Sequence, residues 1–160
     1  MDKDAYLEIN ASQRPALALF EAMGYTYISP ADCDKQRGSR YHLLLRDILR
    51  GQLRRLNRYV YAGAENEFSA ANIERAMEDL DEPLTDGLVR TSEKIYDALL
   101  LGKSYPETIG DGKMLSFNLK YIDWDNPQNN VFHVTEEFAV DSRDRQHNAR
   151  PDIVLFINGI

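Results

Sequence analysis

The sequence predicts a single mixed α/β domain, a central sheet flanked by helices, and three observations carry this. Most of the chain before Gly102 is built from apolar residues at helical spacing. From Lys113 the apolar period switches from helical to strand-like. Finally, Ile153 to Ile157 is an unbroken run of β-branched and large apolar residues. That is how a strand covered on both faces reads, so it is expected in the middle of a sheet.

Composition narrows the class. With 160 residues and 43% hydrophobic content, one globular domain with a real core is expected and no second domain is needed. Met1-Asp2-Lys3-Asp4 opens acidic, unlike a secretory leader, and no apolar run reaches a membrane-spanning length. The lone cysteine, Cys33, cannot form an internal disulfide, fits a reducing cytoplasm and reads as a packing residue. A net charge of −7 argues against strong nucleic-acid binding by this piece alone, because such affinity comes from Lys and Arg on phosphates.

Taken in order, Ser12 is the expected N-cap of a first helix, with Pro15 in its first turn and Gly24 closing it. Leu17, Phe20 and Met23 form its expected buried stripe, and Gln13 projects toward the same side. Tyr25 to Ser29 reads as a short strand and Pro30 to Ser39 as a surface loop. A helix from about Tyr41 to Val60 carries Leu45, Ile48, Leu49, Leu53 and Leu56 on one side. Arginines crowd its other sides, and Arg50, Arg54 and Arg58 are candidate DNA contacts. The competing reading is a solvated helix whose arginines pair with neighbouring acids.

Ser69 caps a helix with Ile73, Ala76, Met77 and Leu80 apolar, ended at Asp81-Glu82-Pro83. Thr85-Asp86 starts another that runs to about Leu101, with Leu88, Ile95, Ala98, Leu99 and Leu101 apolar, stopped by Gly102. This insertion, about 69–102, is expected to complete the core, with docking of other domains as the alternative. From Lys113, Leu115, Phe117, Leu119 and Tyr121 alternate with more polar residues as a half-buried strand. Asp123 to Asn130 is a turn-rich connector whose aspartates should shape turns rather than bind metal. Val131 to Val140 is the next strand, and Asp141 to Ala149 is a charged loop in which His147 reads as solvated. His42, His133 and His147 lack zinc-site spacing, and no Walker-type loop is present, so ATP is not expected to bind.

Asn158-Gly159 is a strong hairpin signal, because a type I′ turn needs positive φ at both central residues. Such a turn sets residue 157 opposite 160 and therefore sets Asp152 opposite about position 165. The group facing Asp152 is thus expected to lie outside these 160 residues, and the chain reads as a piece of a longer one. An edge left open on the last strand should favour self-association or disorder near Ile160.

Asn126-Pro127, Asn129-Asn130, the strand from Val131, Arg150-Pro151-Asp152-Ile153-Val154-Leu155-Phe156 and Asn158-Gly159 together give the chain a family resemblance. It resembles the N-terminal nuclease domain of the motor (restriction) subunit of type I restriction-modification enzymes. Order and spacing agree from Asn126 to Gly159, and more loosely over the first helix and its Met23-Gly24-Tyr25 end. The resemblance implies a restriction-endonuclease-like fold and a PD-(D/E)xK site. There Asp152 would be the catalytic, magnesium-binding aspartate, joined by an acid near position 165 and a lysine two residues further on.

By the same resemblance, double-stranded DNA is the substrate, the methyltransferase and specificity subunits are partners through the rest of the subunit, and ATP acts only in domains absent here. Gln13 stands where the family usually has a glutamate. With Glu21 and Glu137 it is a candidate supporting residue; the plainer reading of Gln13 and Glu21 is a partly exposed flanking polar side chain, and that of Glu137 an exposed strand glutamate. For Asp152 the plainer reading is a turn aspartate that accepts backbone hydrogen bonds. By itself the chain is expected to lack nuclease activity. A non-catalytic docking or DNA-holding module, or a nuclease joined to another helicase, remain the other readings.

Overall fold

The computed structural model describes residues 12–81, 87–141 and 148–160. They fall into two compact units, one running from the N-terminal part to Leu45 and resuming at Val131–Ile160, the other Arg46–Asn130.

The first unit holds α1 (Arg14–Ala22), β1 (Thr26–Tyr27), α2 (Pro30–Arg37), β6 (Phe132–Glu136) and β7 (Ile153–Ile157). Its sheet has the order β1-β6-β7, with β1 parallel and β7 antiparallel to β6. Side chains alternate across β6, so one face meets α1 and the other meets α2. On the α1 side Phe20 packs edge to face on Tyr25, which in turn meets Phe132 at a tilt. On the α2 side Cys33 bonds Thr135, and Phe138 packs on Phe156. Cys33 is fully buried, the packing residue its sequence context suggested.

Several expectations need correction in this unit. Pro30–Arg37 is helical, not a loop: Ser29 Oγ accepts the Asp32 amide, Pro30 sits in the first turn, and Gly38 closes the helix at φ +71°. Arg37 then ties it down. Its guanidinium is buried, donates to Asp34 and the carbonyl of Ala139, and lies 4.0 Å over the Phe138 ring. Helix α1 has no fully buried residue, and Met23 is 64% exposed rather than part of a buried stripe. Its N-cap is Gln13 in helical conformation without a side-chain cap, because Ser12 and Gln13 already wind as a wide π-type turn.

The last strand has the expected bounds and the expected open edge. β7 forms an edge of the described sheet, and Leu155 is 41% exposed. Among the described residues the sheet has three strands with β6 in the centre, so β7 has one neighbour and carries the open edge expected of the last strand. The Asn158-Gly159 turn is as expected: φ is +57° and +86°, and Ile157 and Ile160 exchange both backbone hydrogen bonds. The buried Asn158 side chain accepts the amide of Val131, and Gly159 accepts that of Leu45.

The second unit holds α3 (Arg46–Leu56), β2 (Arg58–Tyr61), β3 (Ala64–Glu67), α4 (Ala70–Leu80), α5 (Leu88–Leu101), β4 (Lys103–Thr108) and β5 (Met114–Leu119). α3 is shorter than the expected 41–60 helix. Asn57 ends it: its side-chain amide donates to the carbonyls of Leu53 and Lys120 and its oxygen accepts the Lys120 amide. Arg58 to Glu67 is a hairpin instead, turned through Ala62 and Gly63, both at positive φ. β4, which the sequence reading missed, pairs with β5 from Lys103↔Leu119 to Thr108↔Met114.

α4 buries Ile73, Ala76, Met77 and Leu80 as expected, with Ser69 as its cap. Glu107 reaches from β4 to accept the Ser69 amide and the Asn72 side chain at this helix end. In α5, by contrast, Thr91 is the one buried residue among those described. Leu88 and Leu101 are about two-thirds exposed, so this helix does not complete the core as expected. Thr85-Asp86 and Glu82-Pro83, the expected start and stop signals, lie outside the described residues. Gly102 ends α5 at φ +76°, and a Cβ there would meet the Leu119 carbonyl oxygen at 2.5 Å. Gly102→Ala should therefore cost about 2–3 kcal/mol, read from a shifted urea midpoint with an unchanged slope.

Candidate functional site

One end of the β6–β7 pair carries the chemistry. β6 stops where Glu137 turns left-handed at φ +50°, yet pairing continues for two more bonds: the Glu137 amide donates to the Asp152 carbonyl at 3.0 Å and the Phe138 amide to Pro151 at 3.2 Å. This is bulge-like, and such a kink re-aims side chains at a strand end. The strand expected to reach Val140 is thus cut at Glu136.

A cleft of about 480 Å³ opens beside this end, lined by Gln13, Arg14, Leu17, Glu21, Tyr27, Glu136 and Glu137 among others. The three supporting candidates, Gln13, Glu21 and Glu137, are brought together here from α1 and the end of β6. Gln13 is buried, not flanking and exposed, while Glu21 is exposed. Glu137 lies just past the strand, half-buried, and its carboxylate takes the guanidinium of Arg150. Tyr27 donates to Glu136 Oε1 at 3.1 Å; burial, then this carboxylate, pushes the phenol pKa up. Tyr27 and Arg14 escaped the sequence reading, since only the parallel β1–β6 register brings Tyr27 beside Glu136.

Asp152 stands at the head of β7, outside the residues that line the cleft but bonded through its carbonyl to one of them. Its side chain is exposed, and among the described residues no side chain hydrogen-bonds or ion-pairs with it. Neither a capping contact nor a salt link uses up this carboxylate among them. No three His, Cys, Asp or Glu side chains among the described residues come together as a metal-binding group.

Two of the three arginines assigned to DNA contact take acidic partners. Arg50 donates to Glu74 and to Asp47, and Arg58, on β2 rather than a helix, pairs with Glu67. Arg54 is exposed in the last turn of α3. In the connector, Asp123 accepts from the Asn126 amide, the Asn129 side chain and Lys120, so it shapes a turn as expected. His133 Nδ1 is buried without a hydrogen-bond partner among the described residues, and burial pushes its pKa down. His147 lies outside the described residues.

The mixed sheet with a helix on each face agrees with an α/β restriction-endonuclease-like fold. No helix among the described residues is long and apolar enough to cross a membrane. No curated protein matches the chain. The family model described as type I restriction enzyme R protein N terminus matches residues 5–160. Matched over nearly its whole length and carrying Arg150-Pro151-Asp152 at the mouth of its last strand, the chain belongs to the family of type I restriction enzyme R protein N termini.

Proposed function

We propose that this chain is the DNA-cleavage domain of a type I restriction enzyme R subunit, hydrolysing phosphodiester bonds with magnesium held at Asp152. The observation that carries this reading is the Asp152 carboxylate: exposed, without a side-chain partner among the described residues, and adjacent to an acidic cleft. Magnesium takes one or two carboxylates together with waters and a phosphate oxygen, so the donor chemistry of Asp152 suits it. When bound, the ion supplies a more acidic water and offsets charge at phosphorus. Glu21, Glu136 and Glu137 would repel a bare phosphate, and a bound cation would offset that repulsion.

The Asn158-Gly159 turn directs the chain back so that about position 165 faces Asp152. By the family resemblance a carboxylate there would complete the pair, and a lysine two residues on would project from the same strand face. Double-stranded DNA is then the substrate. The methyltransferase and specificity subunits act as partners through the rest of the R subunit, in a cytoplasmic complex.

The 160 residues alone are accordingly expected to be inert. Supercoiled plasmid incubated with this chain and magnesium should remain uncut, while the complete R subunit in its ATP-fuelled complex cuts. Robust turnover by the chain alone would show that the group near position 165 is not needed. The solvent-exposed Leu88, Val89, Tyr96, Leu100 and Leu101 of α5 favour a second reading, a non-catalytic docking module. Under it, the complete complex would cut equally well with Asp152 replaced.

A further inference from the structure

We propose that Arg150 is a phosphate-contacting residue of this site and that Glu137 is an internal anion seated where a DNA phosphate would sit. The inference rests on the nuclease reading above and adds a specific contact to it. Three groups meet at the mouth of the β6–β7 pair. The Arg150 guanidinium bonds the Glu137 carboxylate, the Glu137 amide is held by the Asp152 carbonyl, and Asp152 lies two residues after Arg150.

A guanidinium N–H that donates to a carboxylate oxygen, as Arg150 does to Glu137 Oε2, donates in the same way to a phosphate oxygen. What occupies Arg150 in the free protein is therefore chemically a stand-in for a backbone phosphate. The pair is ill suited to a purely structural role, because the Arg150 side chain is 61% exposed and exposed ion pairs add little to stability. By contrast the buried guanidinium of Arg37, donating to Asp34 and to the carbonyls of Ala139 and His42 and lying over the Phe138 ring, shows what a structural arginine looks like in this unit. Arg150 also offsets the negative charge of Glu137, which lines the cleft together with Glu21 and Glu136.

Competition gives the pair a signature that a structural salt bridge lacks. Removing Arg150 deletes a phosphate contact, whereas neutralising Glu137 frees Arg150 for DNA, so the two substitutions should move affinity in opposite directions. A structural pair would instead be broken alike by either change.

The test uses the complete R subunit without ATP and a fluorescein-labelled short duplex, with anisotropy followed over a range of KCl. Arg150→Ala should weaken binding about tenfold and make the log–log salt slope shallower by about 0.9, the value of one phosphate contact. Glu137→Gln should tighten binding about three- to tenfold, the gain from removing a competing anion. Arg150→Lys should restore the slope while recovering only part of the affinity, since it keeps the charge but loses the fork. Unchanged affinity, or a shift in the same direction for Arg150→Ala and Glu137→Gln, overturns the proposal. The nuclease reading is scored separately by cleavage with Asp152→Asn. If that variant cannot cut while the Arg150 and Glu137 variants shift together, only the present inference falls.

Discussion

Asp152→Asn in the complete R subunit should abolish magnesium-dependent cleavage, a loss of at least about a thousandfold, while leaving the domain folded. A thousandfold is about 4 kcal/mol of barrier, within what one metal-held charge at the reacting phosphate supplies. Asparagine keeps the size of the side chain but offers a neutral amide oxygen, so it cannot replace a carboxylate as a magnesium ligand. Stability should change by less than about 0.5 kcal/mol, because the carboxylate is exposed and no described side chain pairs with it. Initial rates of plasmid linearisation measure the first effect and the thermal midpoint the second. A variant within tenfold of the parent, equally stable, would remove Asp152 from the chemistry.

Arg37→Ala should be the most damaging single change to the first unit, costing about 3 kcal/mol. The substitution strands the Ala139 carbonyl, removes the cation from the Phe138 face and leaves Asp34 without its shortest partner. For a chain of this length that corresponds to a midpoint about 6–12 °C lower. Arg40→Ala is the control. Arg40 bonds the same Asp34 from an exposed position, so its loss should cost under about 1 kcal/mol.

The Arg37 penalty should also depend on pH. The Arg37 hydrogen bond holds the Asp34 carboxyl below its usual range, against an opposing push from partial burial. A group depressed in the folded state stabilises above its unfolded pKa and loses that contribution as pH falls through the folded one. The gap between parent and Arg37→Ala should therefore be widest near neutral pH and narrow in acid. Urea midpoints at a series of pH values read this directly; a gap that widens in acid would contradict the assignment.

Much of this architecture is legible in the residues, and the misses have physical causes. The bounds of β7, the Asn158-Gly159 turn, the Ser69 cap and the buried stripe of α4 follow from local rules that tertiary context does not override. α2 was equally available: Ser29, Pro30 and Asp32 form a helix start and Gly38 a stop, but its polar composition hid it behind a loop-like surface. β2 was absorbed into the preceding helix because Arg58 to Tyr61 continues its spacing, and the break depends on Asn57 reaching Lys120 across the unit.

Of the candidate site, the acids were visible one by one and their meeting was not. Gln13 and Glu21 sit at helical spacing on α1, Glu137 just past β6, and only the fold puts them around one cleft. Nothing local predicts that Arg150 bonds Glu137 or that Tyr27 bonds Glu136, since both depend on sheet register. The basic stripe shows the converse: in the fold Arg46 and Arg50 on α3 pair with Glu74 and Asp47, and Arg58 on β2 pairs with Glu67.

The most direct measurement is a manganese titration of the complete R subunit without nucleotide, free ion being counted by electron paramagnetic resonance. The parent should take up one manganese ion that magnesium displaces and that Asp152→Asn fails to bind. Equal uptake by parent and variant would mean that the carboxylate at the head of β7 holds no metal.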